Sequence, residues 1–93
     1  MTQVYRIIEQ KLTDTYTPHD LQITDESHLH QGHSGARPEG GTHFRVYMVA
    51  ALFDGMSRVA RQRHVLDCLA DELQGPVHAL ALKLRSPQEA DEA

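Results

Sequence analysis

The sequence predicts a single α/β domain, residues 1–93, in which a three-stranded mixed sheet has its helices packed on one face. Residues 4–12 and 59–73 place apolar side chains at helical spacing, whereas three other stretches have the composition or the alternation of β-strands. A helix separates the second strand from the third, and a crossover of this length favours a parallel, right-handed pairing. The predicted order is therefore α-β-β-α-β-α, in which the last helix is a single turn.

The first half of the chain is predicted to contain one helix and two strands. Thr2 can cap a helix that runs to about Asp14. Apolar and polar residues alternate after a Thr-Pro turn signal, which predicts a strand that ends near Ser27. The segment 28–41 is rich in glycine and has no apolar period, so we expect a loop. The β-rich run Thr42–Ala51 predicts a second strand, antiparallel to the first.

The second half is predicted to contain a long helix, a third strand and an acidic tail. A turn at Phe53–Gly55 closes the second strand, and Ser57 is placed to cap a helix that continues to Leu73. A Gly-Pro pair stops this helix, and Val77–Leu84 has the pattern of a strand. We expect the acidic tail, about residues 87–93, to be flexible beyond one helical turn.

The composition excludes some classes of function. Nine Lys and Arg against thirteen Asp and Glu give a formal charge of -4, which argues against a main role in coating nucleic acid or anionic lipid. The single cysteine excludes an intramolecular disulfide, and there is neither a signal pattern nor a run of roughly 18 apolar residues. We expect a cytoplasmic protein without a membrane partner, which is a monomer or a weak dimer when free.

Seven histidines are the most informative side chains. Three of them, His28, His30 and His33, fall in the segment 28–41, and imidazole is the commonest metal ligand in proteins. Parallel strands begin at the same edge of a sheet, so His78, at the start of the third strand, should lie beside this loop. This convergence predicts a metal site. A zinc site on the loop's own His-x-His-x-x-His pattern is a less specific alternative.

Four sequence blocks resemble those of the BolA family: DESH at Asp25–His28, THFRV at Thr42–Val46, FDG at Phe53–Gly55 and VHALAL at Val77–Leu82. The intervening helix also resembles the family's long helix, although Arg-Gln-Arg at 61–63 replaces the usual Arg-His-Arg. The resemblance spans nearly the whole chain. It implies a class II KH-like fold, which is consistent with the predicted order of elements.

The resemblance also implies a heterodimer with a monothiol glutaredoxin in which the two proteins bridge a [2Fe-2S] cluster. The family's ligands are the histidine of the VHAL block, which maps onto His78, and a histidine or cysteine of the loop. Counting forward from Asp25 selects His30, whereas counting back from His43 lands nearest His33, and both stay open. In the family the remaining ligands are the glutaredoxin cysteine and glutathione, and a chain with one cysteine cannot supply four thiolates itself.

The other chemistry-bearing residues have less specific interpretations. We expect His43 to orient the site through a local hydrogen bond and Cys68 to pack on the long helix without activation. His19 and His64 are expected at the surface. The sequence has no carboxylate pair in an apolar setting, no nucleophile presented with a base and no phosphate loop, so we expect no enzymatic activity.

The alternative function is that of a DNA-binding regulator, because KH-like folds bind nucleic acid and bacterial members of the family are linked to transcription, cell morphology and stress responses. The residues that would contact DNA phosphate are Arg58, Arg61, Arg63, Lys83 and Arg85. The G-x-x-G loop of KH domains is absent, since Met-Ser-Arg-Val follows Gly55. The same basic residues could instead dock a glutaredoxin or form a solvated face.

Overall fold

The computed structural model describes residues 2–27 and 41–92. The helices are α1 Gln3–Tyr16, α2 Arg58–Cys68, α3 Ala70–Gln74 and α4 Pro87–Glu92, and the strands are β1 Asp20–Asp25, β2 His43–Val49 and β3 Ala79–Arg85. A 3-10 turn covers Ala51–Phe53. β1 pairs antiparallel with β2, and β2 pairs parallel with β3. The predicted mixed sheet, the order of its elements and the KH-like class are confirmed.

One face of the sheet carries the core. Phe44, Val46 and Met48 alternate along β2 and are buried. The parallel register sets Leu82 opposite Val46, so the leucines of β3 lie on the same face. Four helical residues and the residue that follows α2 complete this cluster: Ile8, Leu12 and Tyr16 of α1, Val65 of α2, and Leu69. The helices therefore cover one side of the sheet, and the ends of its strands remain available for a functional site.

Helix α1 ends at Tyr16 rather than near Asp14. Tyr16 continues the i, i+4 series of Ile8 and Leu12, and it is buried with its ring centroid 5.3 Å from that of Phe53. Its hydroxyl lies 2.6 Å from Nδ1 of His64, and burial raises the pKa of this phenol. The aromatic ring thus supplies a core contact that the helix extends to reach.

The long helix predicted after Ser57 is divided in two. α2 ends at Cys68, and Leu69 has φ −104° and ψ 19°, outside the helical region, before α3 begins. The Leu69 amide still donates to the Val65 carbonyl at 3.0 Å, so the chain stays close to its helical path. Lys11 Nζ lies 2.9 Å from Glu72 Oε1, which ties α3 to α1, and this bond raises the pKa of Lys11.

Both ends of β3 differ from the prediction. The strand begins at Ala79 rather than at Val77, so His78 precedes it, and it ends at Arg85 rather than at Leu84. The acidic tail is helical over α4, and Glu89 accepts hydrogen bonds from Arg61 Nη1 and from the Ser86 amide. Arg61, which was expected to contact DNA phosphate, therefore fastens the tail to α2.

Candidate metal centre at the sheet edge

Two histidine rings lie together where β2 and β3 begin. His43 is the first residue of β2, and His78 directly precedes β3. Their ring centroids are 6.2 Å apart, and the ring planes are inclined by 19°. His78 is exposed, whereas His43 is half-buried. The structure thus places an accessible imidazole beside the point at which the segment 28–41 rejoins the sheet.

Thr42 joins the two histidines. Its side chain is fully buried, and Oγ1 lies 2.7 Å from Nδ1 of His43. Its carbonyl accepts hydrogen bonds from the amides of His78 at 2.8 Å and Ala79 at 3.2 Å. One residue therefore fixes the backbone of His78 and contacts the ring of His43, which agrees with the predicted local hydrogen bond of His43.

A clamp of Asp25 and Ser27 fastens both ends of the segment 28–41. Ser27 is 1% exposed, donates its hydroxyl to Asp25 Oδ1, and accepts the amides of Thr42 at 2.9 Å and His43 at 3.1 Å. The other oxygen of Asp25 accepts the Gly41 amide at 2.9 Å. These bonds hold Asp25 and Ser27 close to residues 41–43.

Sequence reasoning took Asp25 and Ser27 only as part of a family block and missed this clamp. The available signal was the Asp-x-Ser spacing, because an aspartate commonly accepts a hydrogen bond from the backbone two residues later. The Ser27 amide donates to Asp25 Oδ1 at 2.9 Å in this manner. An Asp-x-Ser turn before a loop and a glycine at its far end together predict such a closure.

Gly41 is a position at which alanine should be costly. Its φ is +82°, and an added Cβ would lie 3.4 Å from Thr2 Oγ1, which caps α1. We expect Gly41→Ala to lower the free energy of unfolding by about 2 kcal/mol, as measured by urea denaturation. The matched control is Gly55→Ala, at φ +78° with open space around the new Cβ, for which about 1 kcal/mol is expected. Equal losses would show that the contact with Thr2 is unimportant.

The loop histidines His28, His30 and His33 lie outside the described residues. Within 2–27 and 41–92, no group of three or more His, Cys, Asp or Glu side chains is arranged to hold a metal ion. The described part of the site is thus an exposed imidazole at a fixed strand end. A complete site would need the loop histidines, a partner molecule, or both.

The remaining histidines and the cysteine lie elsewhere. His64 is exposed on α2 and contacts Tyr16, and His19 is exposed before β1. Cys68 is half-buried at the end of α2, with Sγ 3.6 Å from Thr15 Oγ1. The surface positions of the two histidines and the packing of Cys68 agree with the sequence interpretation.

Arg61 does not belong to a basic surface patch. It is 6% exposed, and its guanidinium donates to the carbonyls of Met56 at 3.0 Å and Leu84 at 3.2 Å and to the carboxylate of Glu89. The expected phosphate contact at Arg61 is wrong, because its donors serve the interior of the protein. The surface cations that remain are Arg58, Arg63, Lys83 and, half-buried, Arg85.

The ion pair with Arg61 makes stability depend on acid. The hydrogen bond from Arg61 lowers the pKa of Glu89 from 4.5 to about 2. Because the folded-state pKa is depressed, this contribution to stability is present above about pH 4.5 and is lost as the pH falls towards 2. We expect the Tm of the wild type to fall more steeply across this window than that of Glu89→Gln. Glu92→Gln, on the same helix, should keep the wild-type slope, and identical slopes for all three proteins would exclude this role.

The family assignment follows from sequence comparison. The sequence model of the BolA-like protein family matches residues 12–89. The chain belongs to the BolA-like family. It is 45% identical over 83 residues to an uncharacterised protein from the region 5′ of cobS in Sinorhizobium sp, covering 88% of this chain and 89% of that protein.

Two further BolA relatives are informative. The DNA-binding transcriptional regulator BolA of Haemophilus influenzae is 38% identical over 86 residues, covering 92% of this chain and 80% of the regulator. The BolA domain of SufE1 from Arabidopsis thaliana has a similar structure, with a TM-score of 0.86 at 35% identity, covering 96% of this chain and 98% of that domain. Neither description names a catalyst. In the described parts of this BolA-like chain, no helix is long and apolar enough to cross a membrane.

The BolA-like blocks have structural roles in this chain. The block that begins at Asp25 supplies the clamp, and the block Thr42–Val46 supplies the Thr42–His43 contact. The block Phe53–Gly55 includes Phe53, which is fully buried, and Gly55, which adopts a φ of +78° in the turn after β2. Gln62, which stands where the family usually has histidine, donates to the Leu82 carbonyl at 3.3 Å. Glutamine in place of histidine at position 62 therefore supplies a side-chain amide that binds a carbonyl on the outer edge of β3.

Proposed function

We propose that this BolA-like chain is a non-enzymatic iron-sulfur adaptor. It forms a heterodimer with a monothiol glutaredoxin and shares a [2Fe-2S] cluster through His78 and either His30 or His33, for cluster trafficking or for iron and redox sensing. The adaptor acts in the cytoplasm, and the free chain is a monomer or a weak dimer.

The exposed imidazole of His78 is the observation that carries this proposal. Its amide is fixed by the Thr42 carbonyl at 2.8 Å, so the ring projects from an anchored strand end. A ligand that is held by regular structure and remains accessible suits a metal site completed by a second protein. Imidazole nitrogen is also a suitable ligand for iron.

The donor set fits a cluster that is divided between two proteins. The only cysteine, Cys68, lies beside Thr15 at the interface of α1 and α2, so the thiolates would come from the glutaredoxin and from glutathione. The clamp keeps the ends of the loop that carries His30 and His33 beside the strand edge. When bound through neutral imidazoles, such a cluster is less negative and has a higher reduction potential than one with thiolates alone.

The test is an anaerobic mixture of the chain with a monothiol glutaredoxin, glutathione, iron and sulfide. Visible absorption and circular dichroism are recorded and compared with those of the cluster on glutaredoxin alone. We expect a new visible dichroism spectrum and a one-to-one complex on size-exclusion chromatography, both unchanged by His19→Ala. A spectrum equal to that of glutaredoxin alone would contradict the adaptor function.

A DNA-binding regulator of transcription, stress response and cell morphology is the second candidate. Its support is the 38% identity to the Haemophilus influenzae protein, which is described as a DNA-binding transcriptional regulator. Arg58, Arg63, Lys83 and Arg85 could contact phosphate, whereas buried Arg61 could not. Duplex binding should weaken steeply with salt, and Arg63→Ala should reduce the salt slope by about one. Affinity that does not change with salt would exclude this function.

A further inference from the structure

β3 has an outer edge that faces away from the sheet. In the described part of the chain the strand order is β1-β2-β3, so β3 has one unpaired side. Ala79 donates its N–H to the Thr42 carbonyl at 3.2 Å, on the β2 side. Because successive residues of a strand direct their backbone groups to opposite sides, Leu80, Leu82 and Leu84 direct both N–H and C=O outwards. The outer edge therefore presents a regular row of peptide groups.

Side chains of α2 bind two of the outward carbonyls. Gln62 Nε2 donates to the Leu82 carbonyl at 3.3 Å, and Arg61 Nη1 donates to the Leu84 carbonyl at 3.2 Å. The carbonyls of Leu82 and Leu84 are therefore bonded to side chains of α2, and the alternation of the strand directs their N–H groups outwards as well. At Leu82 and Leu84, bonded carbonyls and outward-directed N–H groups suit a partner that brings carbonyl oxygens.

The edge borders a cleft of about 500 Å³ between α2, β3 and α4. Its lining residues are Arg58, Arg61, Gln62, Leu82, Lys83, Leu84, Arg85, Glu89 and Glu92. Glu89 is bound to Arg61, so Arg58, Lys83 and Arg85 leave an excess of positive charge over the carboxylate of Glu92. This local charge is opposite in sign to the formal charge of -4 of the chain. Charge complementarity therefore favours an anionic occupant.

The side-chain carboxylate of Glu89, a residue of α4, lies on one wall of the cleft. Glu89 Oε1 accepts hydrogen bonds from Arg61 Nη1 and from the Ser86 amide at 2.8 Å. This arrangement uses a guanidinium and a backbone amide together, which are the same types of donor that the rest of the cleft presents. Donors of these types already bind a carboxylate of the chain itself, so they also suit the carboxylates of an external peptide.

We propose that this cleft is a docking site for an extended acidic peptide segment of a protein partner. The segment lies along β3, where its carbonyls accept from the amides of Leu82 and Leu84 and its carboxylates face Arg58 and Lys83. His78 is at the other end of the strand, roughly 20 Å from Leu84 at about 3.3 Å per residue. The docking site is therefore separate from the candidate metal centre.

The test uses a fluorescein-labelled peptide, acetyl-Glu-Val-Glu-Val-Glu-amide, and its lysine counterpart, with fluorescence anisotropy of the full chain. We expect the acidic peptide to bind and the basic peptide not to bind. Arg58→Glu and Lys83→Glu, on opposite walls of the cleft, should each weaken binding about tenfold. Arg63→Glu is the matched control, because Arg63 is exposed on the same helix outside the cleft. The affinity of Arg63→Glu for the acidic peptide should stay within about twofold of that of the wild type.

Amide hydrogen exchange locates the bound peptide. We expect slower exchange at the Leu82 and Leu84 amides when the peptide is bound, with little change at the exposed residues of β1. Equal weakening by Arg63→Glu, or protection confined to another surface, would overturn the proposal. Binding of a ten-nucleotide oligo-dT in place of the acidic peptide would also overturn it and would assign the cleft to nucleic acid. Protection that depends only on protein concentration would assign the edge to a second copy of the chain.

Discussion

Replacement of Arg61 by alanine is expected to lower the free energy of unfolding by about 3 kcal/mol, which is a large fraction of the stability of a small domain. The guanidinium bonds the carbonyls of Met56 and Leu84 and the carboxylate of Glu89, so its loss removes partners from three segments at once. Urea denaturation followed by far-ultraviolet circular dichroism measures the change. Part of the loss should come from the release of α4 from α2.

Two variants separate this structural role from general charge effects. Arg63→Ala removes the same charge from an exposed position and should change stability by no more than about 0.5 kcal/mol. Arg61→Lys keeps the charge, but it should still be destabilising because an ammonium cannot reproduce the planar fork of donors. An Arg61→Ala variant as stable as Arg63→Ala would contradict the buried role of Arg61.

Replacement of Ser27 by alanine is expected to cost about 2 kcal/mol, because it leaves the amides of Thr42 and His43 without their acceptor in a buried setting. The same change should weaken the clamp at the base of the loop and, through Thr42, the anchoring of His78. Thermal and urea denaturation give the loss of stability. Amide exchange at His78 should also become faster.

Ser57→Ala is the matched control for Ser27→Ala. Ser57 is exposed and accepts one amide, that of Ala60 at 3.1 Å, as the cap of α2. Its removal should cost about 1 kcal/mol without affecting exchange at His78. If Ser27→Ala cost no more than Ser57→Ala and left His78 exchange unchanged, the clamp would not position the candidate site.

The sequence pattern predicts most of the fold because hydrophobic periodicity and chain connectivity determine it. The helix-length crossover between β2 and β3 predicts their parallel pairing, and the structure has this pairing. The boundaries depend on tertiary contacts that periodicity does not contain. Tyr16 extends α1 because its ring reaches Phe53, and the non-helical backbone of Leu69 divides the second helix.

The position of His78 in the candidate site is predictable from the sequence, but the contacts of the clamp are not. Parallel pairing brings His78 to the edge where the segment 28–41 returns, and this follows from topology alone. The clamp by Asp25 and Ser27 depends on side-chain bonds between residues 15 or 16 positions apart, which neither composition nor periodicity reveals. Arg61 was misassigned for a related reason, since a helical arginine gives no local sign of the carbonyls and the carboxylate that it binds.

The two ends of β3 carry different features, with an exposed imidazole before its first residue and a basic cleft along its last residues. The Arg61–Glu89 ion pair and the hydrogen bond from Gln62 to the Leu82 carbonyl anchor the end of β3 at the cleft. The Thr42 carbonyl anchors the end at His78. A partner could therefore contact one end of the strand without disturbing the other, which would allow metal ligation and peptide docking to be separated by mutation.

The most direct test of the central claim is pulsed electron paramagnetic resonance of the reduced complex with a monothiol glutaredoxin, prepared from ¹⁵N-histidine-labelled chain and unlabelled glutaredoxin. The adaptor function predicts ¹⁵N hyperfine couplings typical of imidazole bound to iron. In His78→Ala the coupling from this ligand should be lost, whereas His64→Ala should retain it. A reduced cluster without ¹⁵N couplings, or with couplings unchanged in His78→Ala, would contradict ligation by His78.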